Sequence, residues 1–385
     1  MYQRLSPARD DTVNPAEQSH RRWRQVRRHL NGHRGDLTRL AATLYPGLPT
    51  VGTSGLLTRP GWVPEAPIPL DRVALRWRDA PAPGTRAGAL EEASRGVRAL
   101  QTAQERFGSY TMTMQALDRP RLFDDRPSYR LLAVLPADGA MILEFTAGSY
   151  FAAVDIGEAC AHELADANLH GGDSLSLRTH VGDPTLVAQR PALLGVSVLT
   201  IRLDTVTGEA TFLLHLRDAE HVTTGGGQHH VIPVGLFQPP AGRPAVADHD
   251  FELWQLITRE YAEELLGHPE QAAPDNRTAA FRDAMDAARD GGQARAYCLG
   301  LGVDPLMLAT DLLTVVVFES RTFDELFGGL TETNGEGTLA RHGSGVWFPL
   351  NATEVGRRAG ESKTQPAGAA ALALAWQGRE TIGVG

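Results

Sequence analysis

The sequence predicts an α/β protein in which a mixed β-sheet is sandwiched between helices, preceded by an N-terminal α+β domain. Two observations carry this expectation. Beyond residue 185, short apolar strand-like runs alternate with amphipathic helical runs, the pattern of a sheet covered on both faces. The composition, 42% apolar and 22% charged over 385 residues, is that of a globular chain long enough for two domains.

The elements follow in order. Residues 1–48 form a basic helical segment, with helices over 16–30 and 37–44 broken at Gly32 and Gly35. Arg21, Arg22, Arg24, Arg27 and Arg28 lie on the first of these, a candidate phosphate-binding face for nucleic acid. The alternative is a solvated helix in an Arg-rich protein. Residues 49–185 form the α+β domain: a strand over 73–77, a helix over 93–107, a hairpin of strands 129–135 and 141–145 around Ala137-Asp138-Gly139, and a helix over 156–167. Asp183-Pro184 closes this part. Residues 186–350 open with strands 194–204 and 209–217 joined across Thr205-Val206-Thr207-Gly208, a hairpin signal. Gly225-Gly226-Gly227 leads to a strand over 231–236. A helix over 250–266 ends at Gly267 and Pro269, residues that stop helices. A helix over 277–290 and buried strands 295–301 and 312–319 complete this part. Residues 351–385 carry a C-terminal helix, over 367–376, and a tail.

Composition excludes several chemistries. Of 37 basic residues only Lys363 is lysine. It lacks the glycines of a phosphate-binding loop, and a Schiff-base enzyme would have to depend on it alone. A net charge of −9 disfavours nucleic-acid binding by the chain as a whole. Two cysteines, Cys160 and Cys298, are too few for a disulfide framework, and with no basic-apolar leader they place the chain in a reducing cytoplasm. No stretch approaches the roughly 20 apolar residues that span a bilayer, so no membrane partner is expected.

The helix over 250–266 is the most informative segment. At about 100° per residue, Phe251, Trp254, Ile257, Tyr261 and Leu265 share one apolar face. Glu260, Glu263 and Glu264 fall on the other side, in the last two turns, where the helix dipole disfavours negative charge by roughly 0.3–1 kcal/mol each. Arg259 reaches Glu263 at i+4, but one Arg does not neutralise three Glu. A divalent cation with hard oxygen ligands, Mg²⁺ or Mn²⁺, would.

Arg259-Glu260-Tyr261-Ala262-Glu263-Glu264 resembles the Arg-Glu-apolar-any-Glu-Glu core of the Nudix box, and Pro233-Val234-Gly235-Leu236-Phe237-Gln238-Pro239 resembles the strand end that precedes the Nudix helix. The resemblance implies a Nudix-like fold for residues 186–350. It also implies metal ligation by Glu260, Glu263 and Glu264, their orientation by Arg259, and hydrolysis of a nucleotide or nucleoside-diphosphate derivative. Nudix proteins often form homodimers. The full pattern has a Glu eight residues before the Arg, where this chain has Phe251 with Glu252 next, so Glu252 is a further candidate ligand. Ala245 stands where the pattern has Gly, and the closing Gly is displaced from Leu266 to Gly267. These departures keep open a catalytically inactive ligand-sensing protein. In substrate binding the candidates are His229, His230, Gly235 and Phe237.

A second resemblance is broader. Trp62-Val63-Pro64 with Pro69-Leu70-Asp71, Tyr150-Phe151 with Gly157-Glu158-Ala159, and Gly302-Val303-Asp304-Pro305-Leu306 look like actinobacterial proteins labelled as xenobiotic-response-type helix-turn-helix regulators with a Nudix-like C-terminal region. It implies that this chain starts where their DNA-binding domain ends.

Other constellations are weaker. His162-Glu163 resembles half a zinc-protease motif, with Asp166 where the second His would stand, and a structural helix is the better account. Asp304 and Asp311 suit turn and helix-cap positions. Glu332 and Glu336 lie in a Gly-rich stretch from which a general base could come.

Overall fold

The protein is described by a computed structural model covering residues 14–79, 87–104, 106–121, 123–217, 227–269, 275–333, 337–361 and 363–385. Its first half runs α1 (Pro15–Gly32), α2 (Arg34–Thr43), β1 (Ile68–Pro69), β2 (Val73–Trp77), α3 (Ala87–Ser94), α4 (Tyr110–Leu117), β3 (Pro127–Ala137), β4 (Ala140–Ser149), α5 (Tyr150–His170) and α6 (Ser176–Val181). The second half opens with β5 (Leu194–Leu203), β6 (Ala210–Phe212), β7 (His215–Arg217), β8 (His229–His230), β9 (Val234–Leu236), α7 (Leu253–Leu266) and α8 (Asn276–Asp290). It closes with β10 (Ala294–Val303), β11 (Thr310–Glu319), α9 (Ser320–Leu326), β12 (Gly337–Leu339), β13 (Phe348–Pro349), α10 (Ala352–Gly360) and α11 (Pro366–Gln377). Among the described residues no helix is long and apolar enough to cross a membrane.

The architecture is mixed α/β. A seven-stranded sheet has the order β1-β10-β11-β5-β6-β13, with β9 also pairing β5. β5 and β11 run parallel and the other pairs antiparallel. Alternation along the central strands sends side chains to opposite faces. Val196, Val198, Val316 and Phe318 pack with Ile257 and Tyr261 of α7, whereas Leu199, Ile201, Val315 and Val317 pack with Leu372 and Ala375 of α11. The sheet is therefore covered on both faces, as the alternation of strands and helices predicts. A small sheet, β2-β4-β3, carries the expected hairpin and joins the large sheet through the Leu131 N–H, which donates to Ala192 O at 2.8 Å. A third sheet is β12-β7-β8.

Several expected elements differ: the strand over 231–236 is reduced to β9, and α2 runs through Gly35 where a break was expected. The helix over 93–107 does not form: α3 ends at Ser94, and Arg98 closes it by donating to Glu91 O at 3.2 Å and Ser94 Oγ at 2.7 Å. The next helix, α4, starts beyond Gly108, where Ser109 Oγ accepts from the Met112 N–H. The strand over 209–217 is split, β6 staying in the large sheet and β7 leaving it for β8 and β12. Helix α7 begins at Leu253, three residues later than expected, because Phe251 is drawn into an aromatic cluster.

The first helix is bound into the fold. Val26 and Leu30 of α1, with Leu37 and Ala41 of α2, bury against Ala161, Leu164 and Ala165 of α5. Arg27 falls on this buried stripe between Trp23 and Leu30, so it does not share the exposed basic surface expected of it. It donates instead to Glu158 Oε2 at 2.5 Å, and Arg34 donates to both Glu158 oxygens at 3.0 Å. Arg24 donates to Leu117 O, and Arg22 makes a bidentate pair with Asp166. Arg21, Arg22, Arg24 and Arg28 line an open depression beside His170.

Glu158 is 2% exposed; burial alone would raise its pKa, but Arg34 and Arg27 outweigh that and leave it at about 2. Removing one partner of a buried ion cluster leaves uncompensated charge. Glu158→Gln is expected to cost roughly 3–5 kcal/mol, read as a lowered urea midpoint; an unchanged midpoint would show that Asp118, 3.2 Å from Arg27, suffices alone.

Candidate functional site

Helix α7 packs against the large sheet beside α8, which lies on β10. It ends where Gly267 adopts φ +66°, a left-handed conformation that glycine accommodates without strain, and the Gly267 N–H donates to Ala262 O. The expected apolar face is present: Trp254, Ile257, Tyr261 and Leu265 are at most 2% exposed. The opposite side is half-covered too, with Leu253, Leu256 and Glu264 buried.

The three glutamates are not splayed into bulk water. Glu264 is 7% exposed and its Oε1 accepts from the Val234 N–H at 2.7 Å. Val234 lies on β9, whose other edge pairs with β5, so this carboxylate satisfies a backbone donor that the sheet leaves over. One turn earlier Glu260 crosses the same strand at Gly235, where a Cβ would overlap its side chain. Arg259 stands between the glutamates, with Nη2 3.7 Å from Glu260 Oε1 and Nε 3.9 Å from Glu263 Oε1. Its Nη2 also donates to Gln238 O at 3.2 Å, tying the helix to the segment after β9. The structure thus brings together Arg259, Glu260, Glu264 and Gly235, with Glu263 on the far side of Arg259.

Their donor chemistry suits a hard divalent cation. Glu264 holds the Val234 N–H with one oxygen, and carboxylate side chains outnumber guanidinium groups on this edge. The glutamates are not, however, the tightest acidic group. Among the described residues, Asp248, His249 and Asp250 form the set of potential ligands whose atoms all lie within 4.8 Å of one another. Arg243 already engages this set, donating to Asp250 Oδ2 at 2.7 Å and Asp248 Oδ2 at 3.2 Å, so a cation there would compete with a guanidinium.

Other predicted residues lie elsewhere. Glu252 is exposed at the start of α7 and pairs with Arg289 of α8 at 3.8 Å. It stands about 12 Å along the helix axis from Glu260. Phe251, in the position the Nudix pattern gives to Glu, packs its ring 5.0 Å from Tyr129 and 5.4 Å from Phe237, and Phe237 is fully buried there. His229 and His230 are not beside the glutamates. The His229 backbone pairs with Lys363 and Gln365, and His230 lies opposite His215 beneath Gly368 of α11. His162 stacks on Trp23 within the N-terminal core, with Nδ1 3.2 Å from the Tyr110 hydroxyl. Asp304 caps a turn, accepting from the Leu306 and Met307 N–H groups. Asp311 caps no helix: it is a strand residue accepting from Ser197 Oγ at 3.2 Å, and burial, reinforced by Asp304, pushes its carboxyl up to about 7. Glu332 pairs with Arg341 at 2.5 Å. Gly225, Gly226 and Glu336 lie outside the described residues.

A cleft of about 100 Å³ lies against α7 and α8. Thr258, Arg259 and Glu263 of α7 line it, with His268, Phe281 and Arg282. No local motif marks it, because its walls are assembled from three separate segments.

Two outcomes follow from this packing. Gly235→Ala is expected to cost about 1–3 kcal/mol by overpacking against Glu260, measured by urea unfolding; a neutral substitution would mean that Glu260 moves aside freely. The second concerns acid. Burial pushes His162 down to about 3, His215 to about 4 and His230 to about 3, from an ordinary 6.5. The folded protein keeps these rings neutral while the unfolded chain protonates them. Their stabilisation is therefore full above pH 6.5 and is lost as pH falls from 6.5 towards 4, by up to about 1.4 kcal/mol per pH unit for each ring. Urea midpoints between pH 8 and 5 should fall accordingly, and His230→Asn should flatten the slope.

No protein-family model matches this chain, and no curated protein matches it.

Proposed function

We propose that this chain is a Nudix-like, Mg²⁺-dependent hydrolase of a nucleotide or nucleoside-diphosphate derivative, with Glu260, Glu263 and Glu264 as metal ligands and Mn²⁺ as an alternative ion. The observation that supports this most is the seam between α7 and β9, where Glu264 is anchored on Val234 and Glu260 lies over Gly235. Adjacent residues of one strand thereby fix two carboxylates spaced one helical turn apart. Sequence resemblance alone would not require the strand and the helix to meet at these residues.

A divalent cation bound there supplies charge screening and Lewis acidity towards a diphosphate. The chain's own groups do the positioning. The Val234 N–H holds one Glu264 oxygen, so the carboxylate orientation is set before any ligand arrives. Gly235 leaves room for Glu260 against the backbone. Arg259, fastened to Gln238 O, lies near Glu260 and Glu263 and limits their mutual repulsion.

One observation favours a second function, a catalytically inactive sensor of a nucleotide-like ligand. The position that the resemblance assigns to another glutamate is the buried-cluster residue Phe251, and Glu252 turns to Arg289. The test uses the full chain with nucleoside-diphosphate derivatives and Mg²⁺. Glu263→Gln and Glu264→Gln are expected to lower turnover by at least about a hundredfold, the upper end of what a supporting residue of a metal site costs, with melting temperatures close to the parent. Turnover unchanged in both variants rules out the hydrolase; calorimetric binding that is equal with and without Mg²⁺, and never followed by turnover, establishes the sensor.

A further inference from the structure

A further cavity lies wholly in the N-terminal half. It has a volume of about 1030 Å³ and is bounded by α1, α3 with the segment after it, α5 and the chain leading into α6. Sites for small organic molecules occupy clefts of roughly 300–1,000 Å³, so this one is large enough for such a ligand. It shares no residue with β9 or α7.

One buried polar group in its wall keeps a free bonding position. His162 is 4% exposed and lines the cavity, its ring stacked on Trp23 with centroids 5.1 Å apart. Nδ1 faces the Tyr110 hydroxyl at 3.2 Å. Nε2 has no hydrogen-bond partner among the described residues. Unlike the unpaired ring nitrogens of His215 and His230, it retains accessible surface, and that surface opens into the space the residue lines. The place of the ring proton follows from Tyr110, which is fully buried. Its hydroxyl has two partners, Arg27 and His162. A guanidinium only donates, so the hydroxyl proton has Nδ1 as its acceptor and the neutral ring carries its own proton on Nε2. Buried polar groups are nearly always paired, so an N–H donor turned into a cavity marks a place where a ligand completes it.

The walls limit what can meet that donor. Three guanidinium groups stand against four carboxylates around the cavity, so no excess of positive charge awaits an anion. Asp166 holds Arg22 bidentately, Glu92 pairs with Arg95 at 2.8 Å, and Glu163 accepts from the Leu177 and Arg178 N–H groups, which leaves a cation little to pair with. Trp23, Val26, Val97 and Ala99 supply apolar wall. At the edge Leu100 is 55% exposed, yet both its backbone groups are pinned to α1: Ser19 Oγ accepts from its N–H at 2.9 Å, and its carbonyl lies 2.8 Å from His20 Nε2. The rim is therefore set before a ligand arrives. We propose that this cavity binds an uncharged, largely apolar small molecule through one carbonyl oxygen, which accepts from His162 Nε2–H. The site does not rest on the hydrolase assignment above.

The test titrates the full chain with prodan, a neutral naphthyl ketone whose emission shifts to the blue in apolar surroundings, and with dimethylaminonaphthalene, the same ring without the carbonyl. Prodan is expected to bind saturably at a single site per chain. His162→Phe keeps a ring on Trp23 and removes the donor; it should weaken prodan by about tenfold, the upper end of what one hydrogen bond contributes, and leave dimethylaminonaphthalene unchanged. Leu100→Asp, a change at an exposed position, should weaken both dyes. His162→Phe strands the Tyr110 hydroxyl, so if that variant fails to fold, the double variant His162→Phe with Tyr110→Phe removes both partners and gives the same readout. The proposal is overturned if prodan shows no saturable binding at its solubility limit, or if the folded His162 variant binds it as tightly as the parent. An equal loss for both dyes in that variant also overturns it, since ring packing and not the carbonyl would then be recognised. Prodan binding unmoved by Leu100→Asp places the dye elsewhere and overturns it too.

Discussion

Helix α7 is covered along most of its length, so the polar groups it turns inward are matched mainly by other parts of the protein. That constraint organises everything around it. Tyr261 reaches Thr200 in the central strand at 2.9 Å, Trp254 Nε1 donates to Asp286 of α8 at 2.7 Å, and Glu264 accepts from Val234. These bonds fix the helix against the sheet, against α8 and against the short strand β9. β9 has only three residues, and β5 pairs one of its edges. Its other edge is closed by a carboxylate and not by a further strand, which is why acidic side chains stand at the rim of an otherwise apolar seam.

The N-terminal half has a definite part in this. Trp77 of β2, Tyr129 of β3 and Phe145 of β4 form one aromatic cluster with Phe237 and Phe251, which flank the segment between β9 and α7. Ser128 donates to Gln238 Oε1 at 3.3 Å while Arg259 takes Gln238 O. The small sheet β2-β4-β3 therefore holds both ends of the loop that leads into α7. Within that loop Arg243 bridges Asp248 and Asp250. The aromatic cluster and the Arg243 ion pairs together fix the segment that leads into the helix. Phe251 serves this packing, and its ring could not be exchanged for a carboxylate without placing a charge among four aromatic side chains.

What the sequence made legible was local. The hairpin β3–β4 follows from alternation around Ala137-Asp138-Gly139, and Gly139 takes φ +59° at its turn. The end of α7 at Gly267 and the packed alanine-rich α11 needed no tertiary knowledge. The helix predicted over 93–107 failed because the chain leaves α3 through a short 3-10 turn over Arg95–Val97 that buries Val97, and Arg98 caps the true helix from outside. His229 and His230, adjacent to the glycine loop in sequence, were carried away by β8 to the α11 side of the molecule. The acidic trio was visible in the sequence, but its relation to Val234 and Gly235 depends on a strand-to-helix crossing that spacing along the chain does not encode.

The seam and the cleft share a wall. Arg259 and Glu263 line the cleft, while Arg259 also lies 3.7 Å from Glu260 at the seam. Glu263 stands five positions after Thr258, about 7.5 Å of axial rise. A rigid helix presents both groups, so their separation cannot drift as it would between two loops. The N-terminal sheet sets the start of that helix, Gly267 sets its end, and β9 sets its rotation through Glu264.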